Sequence, residues 1–455
     1  MSHSLRTLQP EDLLLFKSIS DVQLSPDGKS IAYTVTKMDV KRDRYKTNIC
    51  IISAQSGEPI PLRFKRDCVY APRWSPDGKQ IAFLSDHDDK HSQLYIMSVE
   101  DGNTRKLTSL GYRAGPAVWS PNSKYIIFSA PLINTRNLKN KMVNTDWNNI
   151  PKVVKRAKYK VDGQCFVLDK INQLFIISIK SGEIKQITHS DQANFMPTWS
   201  PDNRRIVVSR TRDDLTEYNA SDIWIMDRDG SNQRMITKNI SSAISPSWSP
   251  DGSTIAFYGK DDNQQAWDQT MAHVLIIPVT GGESKSLTSK HDRCAILLQA
   301  PAVTPAPIWS TNGDSVTFCI ANSGNIHVVR TSINDGSIKP VIIGERQITS
   351  FSAVTGIGRI AFCVNETENP CDVYVSAWDG SEEKKLTKVN DSLLARLAIP
   401  YIEKRAFNNP NGGTIDAWIM KPEKNTNYAP LLLSIHGGPQ GFVGNAFSLS
   451  HFYRY

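Results

Sequence analysis

Cysteine is scarce in this sequence, with 7 in 455 residues, and no two of them form a CxxC pair. Neither a zinc-binding motif nor a disulfide framework is therefore indicated. Long hydrophobic runs are also missing, since the apolar run at 430–435 is among the longest and is far too short to span a bilayer. Near the N-terminus, Glu11 and Asp12 stand beside the only apolar patch, which makes a poor secretory signal. From these absences we expect a cytoplasmic location and no membrane partner.

The net charge of the sequence is +8, but basic and acidic residues nearly balance outside one segment. Residues 136–160 hold eight basic side chains and a single acid, Asp146, and account for nearly all of the excess. A local basic insert on a near-neutral body argues against a nucleic-acid partner. We interpret the insert as a solvated loop; the alternative is a surface that attracts acidic groups of a substrate or of a neighbouring domain.

The sequence does contain a clear internal repeat. The string Trp-Ser-Pro followed by a turn pair, or a close variant of it, begins at Leu24, Trp74, Trp119, Trp199, Trp248 and Trp309. An alternating apolar strand follows each start, and a Leu-Thr or Ile-Thr pair closes most units. Successive starts lie 45 to 80 residues apart, and the longest gap contains the basic insert. Self-similarity at this period is typical of repeat architectures.

The repeat predicts the architecture. Proline fixes φ and removes a donor, and Asp-Gly or Asn-Gly supplies the positive φ of a tight hairpin. All-β units of about 40–50 residues are typical of propeller blades, each a four-stranded sheet. We therefore predict a mainly β fold with a seven-bladed β-propeller over 21–390, in which the repeat tryptophans occupy equivalent positions. An N-terminal helical segment over 1–20 should begin at Pro10, and the basic insert at 131–160 should project from the third blade.

The repeat stops after about residue 395. Two apolar alternating runs flank the turn-rich residues 408–413, which predicts a hairpin. The continuous apolar run at 430–435 is typical of a strand buried on both faces, and it ends in the sequence His-Gly-Gly-Pro at 436–439. A strand that ends in His-Gly-Gly is typical of the oxyanion loop of α/β-hydrolases, because glycines let a backbone N–H point at a developing oxyanion. We expect residues 391–455 to begin such a domain.

On these repeats and the loop at 436–439, the chain resembles the prolyl oligopeptidase family of serine peptidases, in its acylaminoacyl-peptidase and dipeptidyl-peptidase branch. The resemblance implies a propeller that caps an active site and admits short peptides. It implies that Gly437 and Gly438 belong to the oxyanion hole, with Gly438 donating its backbone N–H, and that His436 supports the loop. It implies no cofactor and no metal, and it leaves a homo-oligomer of the full-length protein open.

The chain departs from the family pattern in one respect. The family's nucleophile lies on a G-x-S-x-G elbow, followed by Asp and then His, and no serine of this sequence has glycine at both the −2 and +2 positions. Ser434, Ser448 and Ser450 lie near the loop but lack the elbow. We therefore expect an α/β-hydrolase domain truncated before its nucleophile and inactive as given. Residues 425–455 should then be poorly ordered or sticky, and Phe447 should lack a core.

Three alternatives remain open. His436 could act as a general base instead of supporting the loop. The stretch 86–91, rich in Asp and His, could hold a metal ion, although a polar hairpin loop explains the same composition. The whole chain could be a TolB-like propeller that binds a partner without catalysis. Such a module would have no hydrolase-like segment after its last blade, so residues 402–439 favour the peptidase.

Overall fold

A computed structural model of the chain describes residues 5–62, 64, 68–86, 91–133, 159–161, 165–166, 170–212, 220–260, 271–295, 305–421, 430–437 and 443–448. The chain divides into two compact units. The first comprises Met1–Trp74 and His291–Tyr455, and the second comprises Ser75–Lys290. Among the described residues, no helix is long and apolar enough to cross a membrane.

Strands dominate both units. The first part of the first unit contains β1 (Arg6–Thr7), β2 (Ser18–Leu24), β3 (Ser30–Asp39), β4 (Arg44–Ser53), β5 (Ile60–Pro61) and β6 (Val69–Trp74). The second unit contains β7 (Gln80–Ser85), β8 (Gln93–Ser98), β9 (Thr104–Lys106), β10 (Val118–Trp119), β11 (Tyr125–Ile133), β12 (Lys160–Val161), β13 (Cys165–Phe166), β14 (Lys170–Ser178), β15 (Ile184–Gln186), β16 (Asn194–Trp199), β17 (Arg205–Thr211), β18 (Ser221–Asp227), β19 (Arg234–Met235), β20 (Ser242–Trp248), β21 (Thr254–Lys260), β22 (His273–Pro278) and β23 (Lys285–Ser286).

The first unit continues with β24 (Ile308–Trp309), β25 (Ser315–Asn322), β26 (Asn325–Ser332), β27 (Ile338–Ile342), β28 (Gln347–Val354), β29 (Arg359–Asn365), β30 (Asp372–Ala377), β31 (Lys384–Lys385), β32 (Leu397–Ala398), β33 (Tyr401–Asn408) and β34 (Thr414–Lys421). The described helices are short: two 3₁₀ helices, Pro10–Leu14 and Val40–Arg42, and one α-helix, α1 (Asp391–Leu394). The mainly β prediction is therefore confirmed.

Parallel bridges of one residue pair join β18 to β20 and β26 to β28, which makes two eight-stranded sheets. Within the sheets, the strands form antiparallel groups of four that follow chain order. In the first unit these are β2-β3-β4-β5, β24-β25-β26-β27 and β28-β29-β30-β31. In the second unit they are β10-β11-β14-β15, β16-β17-β18-β19 and β20-β21-β22-β23, together with the run β7-β8-β9. Apolar side chains are buried between neighbouring sheets of a unit. For example, Val22 and Ile31 of the first sheet pack with Ala361 and Val373 of the β28–β31 sheet.

The repeat motif closes a turn with its own side chains. Ser75 donates its hydroxyl to Asp77 at 2.6 Å and accepts the backbone N–H of Gln80 at 2.9 Å, while the Asp77 carboxylate accepts the N–H of Lys79. Gly78 has a φ of +71°, which favours glycine at that position. The same bonds recur at 25–30, 200–205 and 249–254. The repeated residues thus supply the side-chain hydrogen bonds that close one type of hairpin turn.

The repeat tryptophans connect one sheet to the next. Each of the five ends a strand, at Trp74, Trp119, Trp199, Trp248 and Trp309. In the second unit, the indole of Trp199 donates to the carbonyl of Val118, and that of Trp248 donates to Thr198. Each acceptor lies in the strand that opens the preceding sheet, so one side chain both fills the space between sheets and satisfies its own N–H.

The threonines of the Leu-Thr and Ile-Thr pairs attach the outer strand of a sheet through hydrogen bonds. Thr108 is 2% exposed, and its hydroxyl accepts the N–H of Leu94 at 2.9 Å and donates to the side chain of Gln93 at 2.8 Å. Thr188, Thr237, Thr288 and Thr387 make the equivalent backbone bond, always to the residue 14 positions earlier. A threonine recurs there because its hydroxyl accepts a backbone N–H that would otherwise be buried without a partner.

Two predicted boundaries need correction. The helical segment predicted over 1–20 is limited, in the described residues, to the 3₁₀ helix Pro10–Leu14, and β2 already begins at Ser18. The strand β1 of this segment pairs in parallel with β32, and Leu8 and Phe16 are buried. In the second unit, β11 extends to Ile133, so residues 131–133 of the predicted insert belong to a sheet. Residues 134–158 lie outside the described residues.

We expect Thr108→Val to lower the free energy of unfolding by about 1–3 kcal/mol, because the buried N–H of Leu94 loses its acceptor while the shape is kept. The measurement is the shift of the urea-unfolding midpoint. Thr104→Val, on an exposed position of β9, is the control and should change stability by less than about 0.5 kcal/mol. Equal effects of the two substitutions would contradict the proposed role of the hydroxyl.

The turn acids give a second expectation. Hydrogen bonds from Ser249 and Ser253 lower the pKa of Asp251 from 3.8 to about 2, so its contribution to stability is complete above pH 3.8 and is lost as the pH falls through about 2. Asn122 fills the same position in another turn, where it accepts the equivalent bonds from the Ser120 hydroxyl and the backbone N–H of Lys124. Between pH 5 and 2, Asp251→Asn should therefore fold normally but lose less stability than the parent chain, whereas Asn122→Asp should lose more. Identical pH profiles for both variants and the parent chain would show that the turn carboxylates contribute nothing.

Candidate functional site

The predicted oxyanion segment lies on the surface of the first unit. Residues 430–437 form no strand, and the side chains of Leu431, Leu433 and Ile435 are 90%, 75% and 82% exposed. The prediction of a strand buried on both faces is therefore wrong for this structure. A strand of that kind needs a hydrogen-bonded neighbour on each side, and no described residue pairs with 430–437.

His436 and Gly437 adjoin within this exposed segment, and Gly438 lies outside the described residues. His436 Nδ1 lies 2.9 Å from the carbonyl oxygen of Gly437, so the proton of this bond is on Nδ1. A Cβ built on Gly437 would contact nothing within 4 Å, and its backbone is not in the left-handed region. The two predicted residues are thus side by side, but the described residues do not assemble an oxyanion hole around them.

The predicted hairpin after the repeat is present as β33 and β34, paired from Tyr401↔Lys421 to Asn408↔Thr414. It packs on the turn between β25 and β26 through one face. Lys404 donates to the carbonyl of Ser323 at 2.9 Å, pairs with Asp416 at 3.1 Å and lies 5.4 Å from the centre of the Trp418 ring. The cation therefore meets a carbonyl, a carboxylate and an aromatic face at once.

Asn445 joins this hairpin to the same turn. Its side-chain oxygen accepts the indole N–H of Trp418 at 2.6 Å, and its amide nitrogen donates to Asn325 at 2.7 Å. Its backbone N–H donates to the carbonyl of Gly324 at 2.8 Å, which also accepts from the side chain of Gln347 at 3.0 Å. Asn445 is 5% exposed and makes all three bonds inside the fold.

Phe447 has a core, contrary to the sequence prediction. It is 2% exposed and packs with Leu8, Phe16, Leu393 and Leu397, and its ring centre lies 5.2 Å from that of Phe16. The side chain of Asn365 accepts the N–H of Phe447 at 2.7 Å and donates to its carbonyl at 3.3 Å. The N-terminal segment supplies two members of this cluster, which sequence periodicity could not reveal because they lie more than 400 positions away.

Among the described residues, no group of three or more His, Cys, Asp or Glu side chains could hold a metal ion. Of the stretch 86–91, only Asp86 and His91 are described, and the other candidate ligands lie outside the described residues. The contacts of Trp418 and Asn445 were missed by sequence reasoning. The only signal was the turn Asn322-Ser-Gly-Asn325, which is indistinguishable in sequence from an ordinary hairpin turn.

Comparison with known proteins gives a family. The model of the TolB beta propeller domain matches residues 14–150 and 166–293, more than half of the chain. An uncharacterized peptidase, YuxL of Bacillus subtilis, is 28% identical over 97% of this chain and 68% of its own length. Dipeptidyl-peptidase 5 of Porphyromonas gingivalis is 22% identical over 97% of this chain and 65% of its own length. The chain thus spans about two thirds of these relatives.

Solved structures share the fold. The acylaminoacyl peptidase of Pyrococcus horikoshii superposes with a TM-score of 0.74 at 20% identity, over 97% of this chain and 64% of that one. In contrast, the Tol-Pal system protein TolB of Legionella pneumophila matches only 17% of this chain, at 32% identity over 79 residues. The chain therefore belongs to the TolB β-propeller domain family and is, over nearly its whole length, a relative of the peptidases of the prolyl oligopeptidase family.

Proposed function

We propose that this chain is the propeller and oxyanion-loop portion of a serine peptidase that hydrolyses short peptides, by release of acylaminoacyl or dipeptidyl units. The observation that carries the proposal is the extent of the likeness. Peptidase relatives match 97% of the chain, through the hairpin β33–β34 and past residue 437, whereas the TolB relative matches a segment equal to about two blades. The alternative of a binding module does not account for residues 401–448.

The propeller of this proposal has seven blades over 21–390. Its support is that each of the six repeat starts lies at the first hairpin of a four-stranded antiparallel group, and that a seventh group, β28–β31, follows without the motif and ends just before α1. The function proposed for the propeller is to cap the active site and admit peptides while folded proteins stay outside. Short peptides are accordingly the proposed substrates.

In the proposed reaction, backbone N–H groups of Gly437 and Gly438 stabilise the oxyanion that forms when a nucleophile attacks the substrate carbonyl. His436 shapes the loop, which agrees with its bond to the Gly437 carbonyl rather than to an acid. Acyl transfer also needs a nucleophile, a base and an orienting acid. Since no serine of the printed sequence lies on a G-x-S-x-G elbow, those groups are proposed to belong to a longer polypeptide.

A cytoplasmic location completes the proposal. Cys50, Cys319, Cys363 and Cys371 are free cysteines, as expected where thiols stay reduced. Burial raises the pKa of the Cys363 thiol to about 12, which keeps it protonated and inert at neutral pH. Fractionation of the native host tests the location, and recovery of the protein only from an extracellular fraction would contradict it.

The exposed run at 430–435 should behave as an unpaired apolar surface. We expect the double substitution Leu431→Lys and Leu433→Lys to lower binding of a hydrophobic fluorescent dye and aggregation, without a change in the melting temperature, because both side chains are exposed. Ile60→Lys, at an isolated side chain that is 68% exposed, is the control and should leave dye binding unchanged. A fall in melting temperature in the double variant alone would mean that the run is packed.

The peptidase assignment is tested directly by activity. Residues 1–455 should not turn over acyl-amino-acid or dipeptidyl chromogenic substrates, because an oxyanion site stabilises a charge that no attack creates. A form extended through the downstream reading frame should turn them over and should be inhibited by a serine-directed phosphonate. Phosphonate-sensitive turnover by residues 1–455 would overturn the proposal of inactivity. Failure of the extended form on every such substrate would overturn the peptidase proposal.

A further inference from the structure

We propose that the β25–β26 turn, together with Gln347 and Asn365, is an internal docking surface whose occupant is the segment 443–448, and that Asn445 makes this segment and the hairpin β33–β34 open as one unit. The inference concerns the fold of residues 305–448 and does not require the peptidase proposal to be correct. The surface is formed by Ser323, Gly324 and Asn325 of the turn and by two side chains from neighbouring strands.

The bonding at Asn445 makes the two pieces dependent on each other. One side chain accepts from Trp418 of the hairpin and donates to Asn325 of the turn, and the backbone N–H binds Gly324. Because the indole N–H of Trp418 is satisfied only through Asn445, release of the segment leaves a half-buried donor on the hairpin without its partner. Loss of either piece therefore weakens the attachment of the other.

The fit is close enough to exclude any side chain at two positions. A Cβ on Gly324, which has a φ of +80°, would overlap the ring of Trp418. A Cβ on Gly444 would overlap the carbonyl of Gly324 and lie 2.6 Å from the Gln347 side chain. The backbone of Gly444 is not in the left-handed region, so glycine is needed there only because a side chain would not fit. Two glycines that face each other across the contact are a feature of a specific docking surface.

The C-terminal part of the segment, at Phe447, is held by a second set of contacts. Asn365 bonds both backbone groups of Phe447, as a neighbouring strand would, and the Phe447 ring enters the apolar cluster with Phe16 and Leu397. Gln347 and Asn365 are register partners on β28 and β29, so the surface continues across two strands of one sheet. In contrast, the apolar residues of 430–437 are exposed on their side of Gly444. Among the described residues after 430, the attached ones are therefore those of 443–448.

Hydrogen–deuterium exchange of residues 1–455 tests the inference. In Asn445→Ala, amides of both 401–421 and 443–448 should exchange at least about tenfold faster, because the two side-chain hydrogen bonds to Trp418 and Asn325 are lost, while β2–β5 keeps its protection. Gly444→Ala should act in the same way through overlap. The matched control is Gly356→Ala, which has open space and an ordinary backbone and should exchange as the parent does.

Faster exchange in 443–448 without a change in 401–421 would overturn the coupling, and unchanged exchange in both would overturn the docking surface. Trp418→Phe removes the indole donor but keeps an aromatic ring, and it serves if the other variants lose the protection of β2–β5 as well. It should accelerate exchange in 443–448, although the substituted residue lies in 414–421. No acceleration there would also overturn the inference.

Discussion

Buried backbone N–H groups need acceptors, and in this protein side-chain hydroxyls supply them where the sheet ladders end. Ser75 and its equivalents accept the donor that follows each tight turn, and Thr108 and its equivalents accept the donor where the outer strand begins. The four-stranded groups that contain Thr108, Thr188, Thr237 and Thr288 have a hydroxyl acceptor at both places. Sheets completed in this way can stack with apolar side chains between them, because few backbone groups remain to be satisfied at their ends.

Side-chain hydroxyls that accept backbone N–H groups also join sheets that are distant in the chain. Within the first unit, the N–H groups of Val22 and Leu24 on β2 are accepted by the hydroxyls of Ser350 and Ser352 on β28, more than 300 positions away. Arg359 adds a bond to the carbonyl of Gly28. The first and last sheets of the repeat thus meet through side chains and a shared apolar cluster, and each keeps four consecutive strands of its own.

The region after the repeat contains two contrasting kinds of surface. Segment 443–448 is fixed by named hydrogen bonds and by burial of Phe447, whereas residues 430–437, only a few positions earlier, expose nearly all of their apolar side chains. The two segments differ in the residues that are available to bond them. Asn365, Gln347 and the β25–β26 turn lie in a sheet that is complete, so they can hold the first segment without any further strand. A buried strand at 430–435 would need two neighbours, which the proposed longer polypeptide would supply.

Sequence alone is enough to predict the repeat, the mainly β class, the turn at each Trp-Ser-Pro start and the hairpin β33–β34, because each depends on residues close together in the chain. It also identified the family likeness through residues 436–439. Tertiary structure alone decided that 430–437 is exposed, that Phe447 is buried with Leu8 and Phe16, and that Asn445 bonds Trp418 and Asn325. These contacts join residues up to about 440 positions apart, and hydrophobic periodicity describes only which face of an element is apolar, not which distant element covers it.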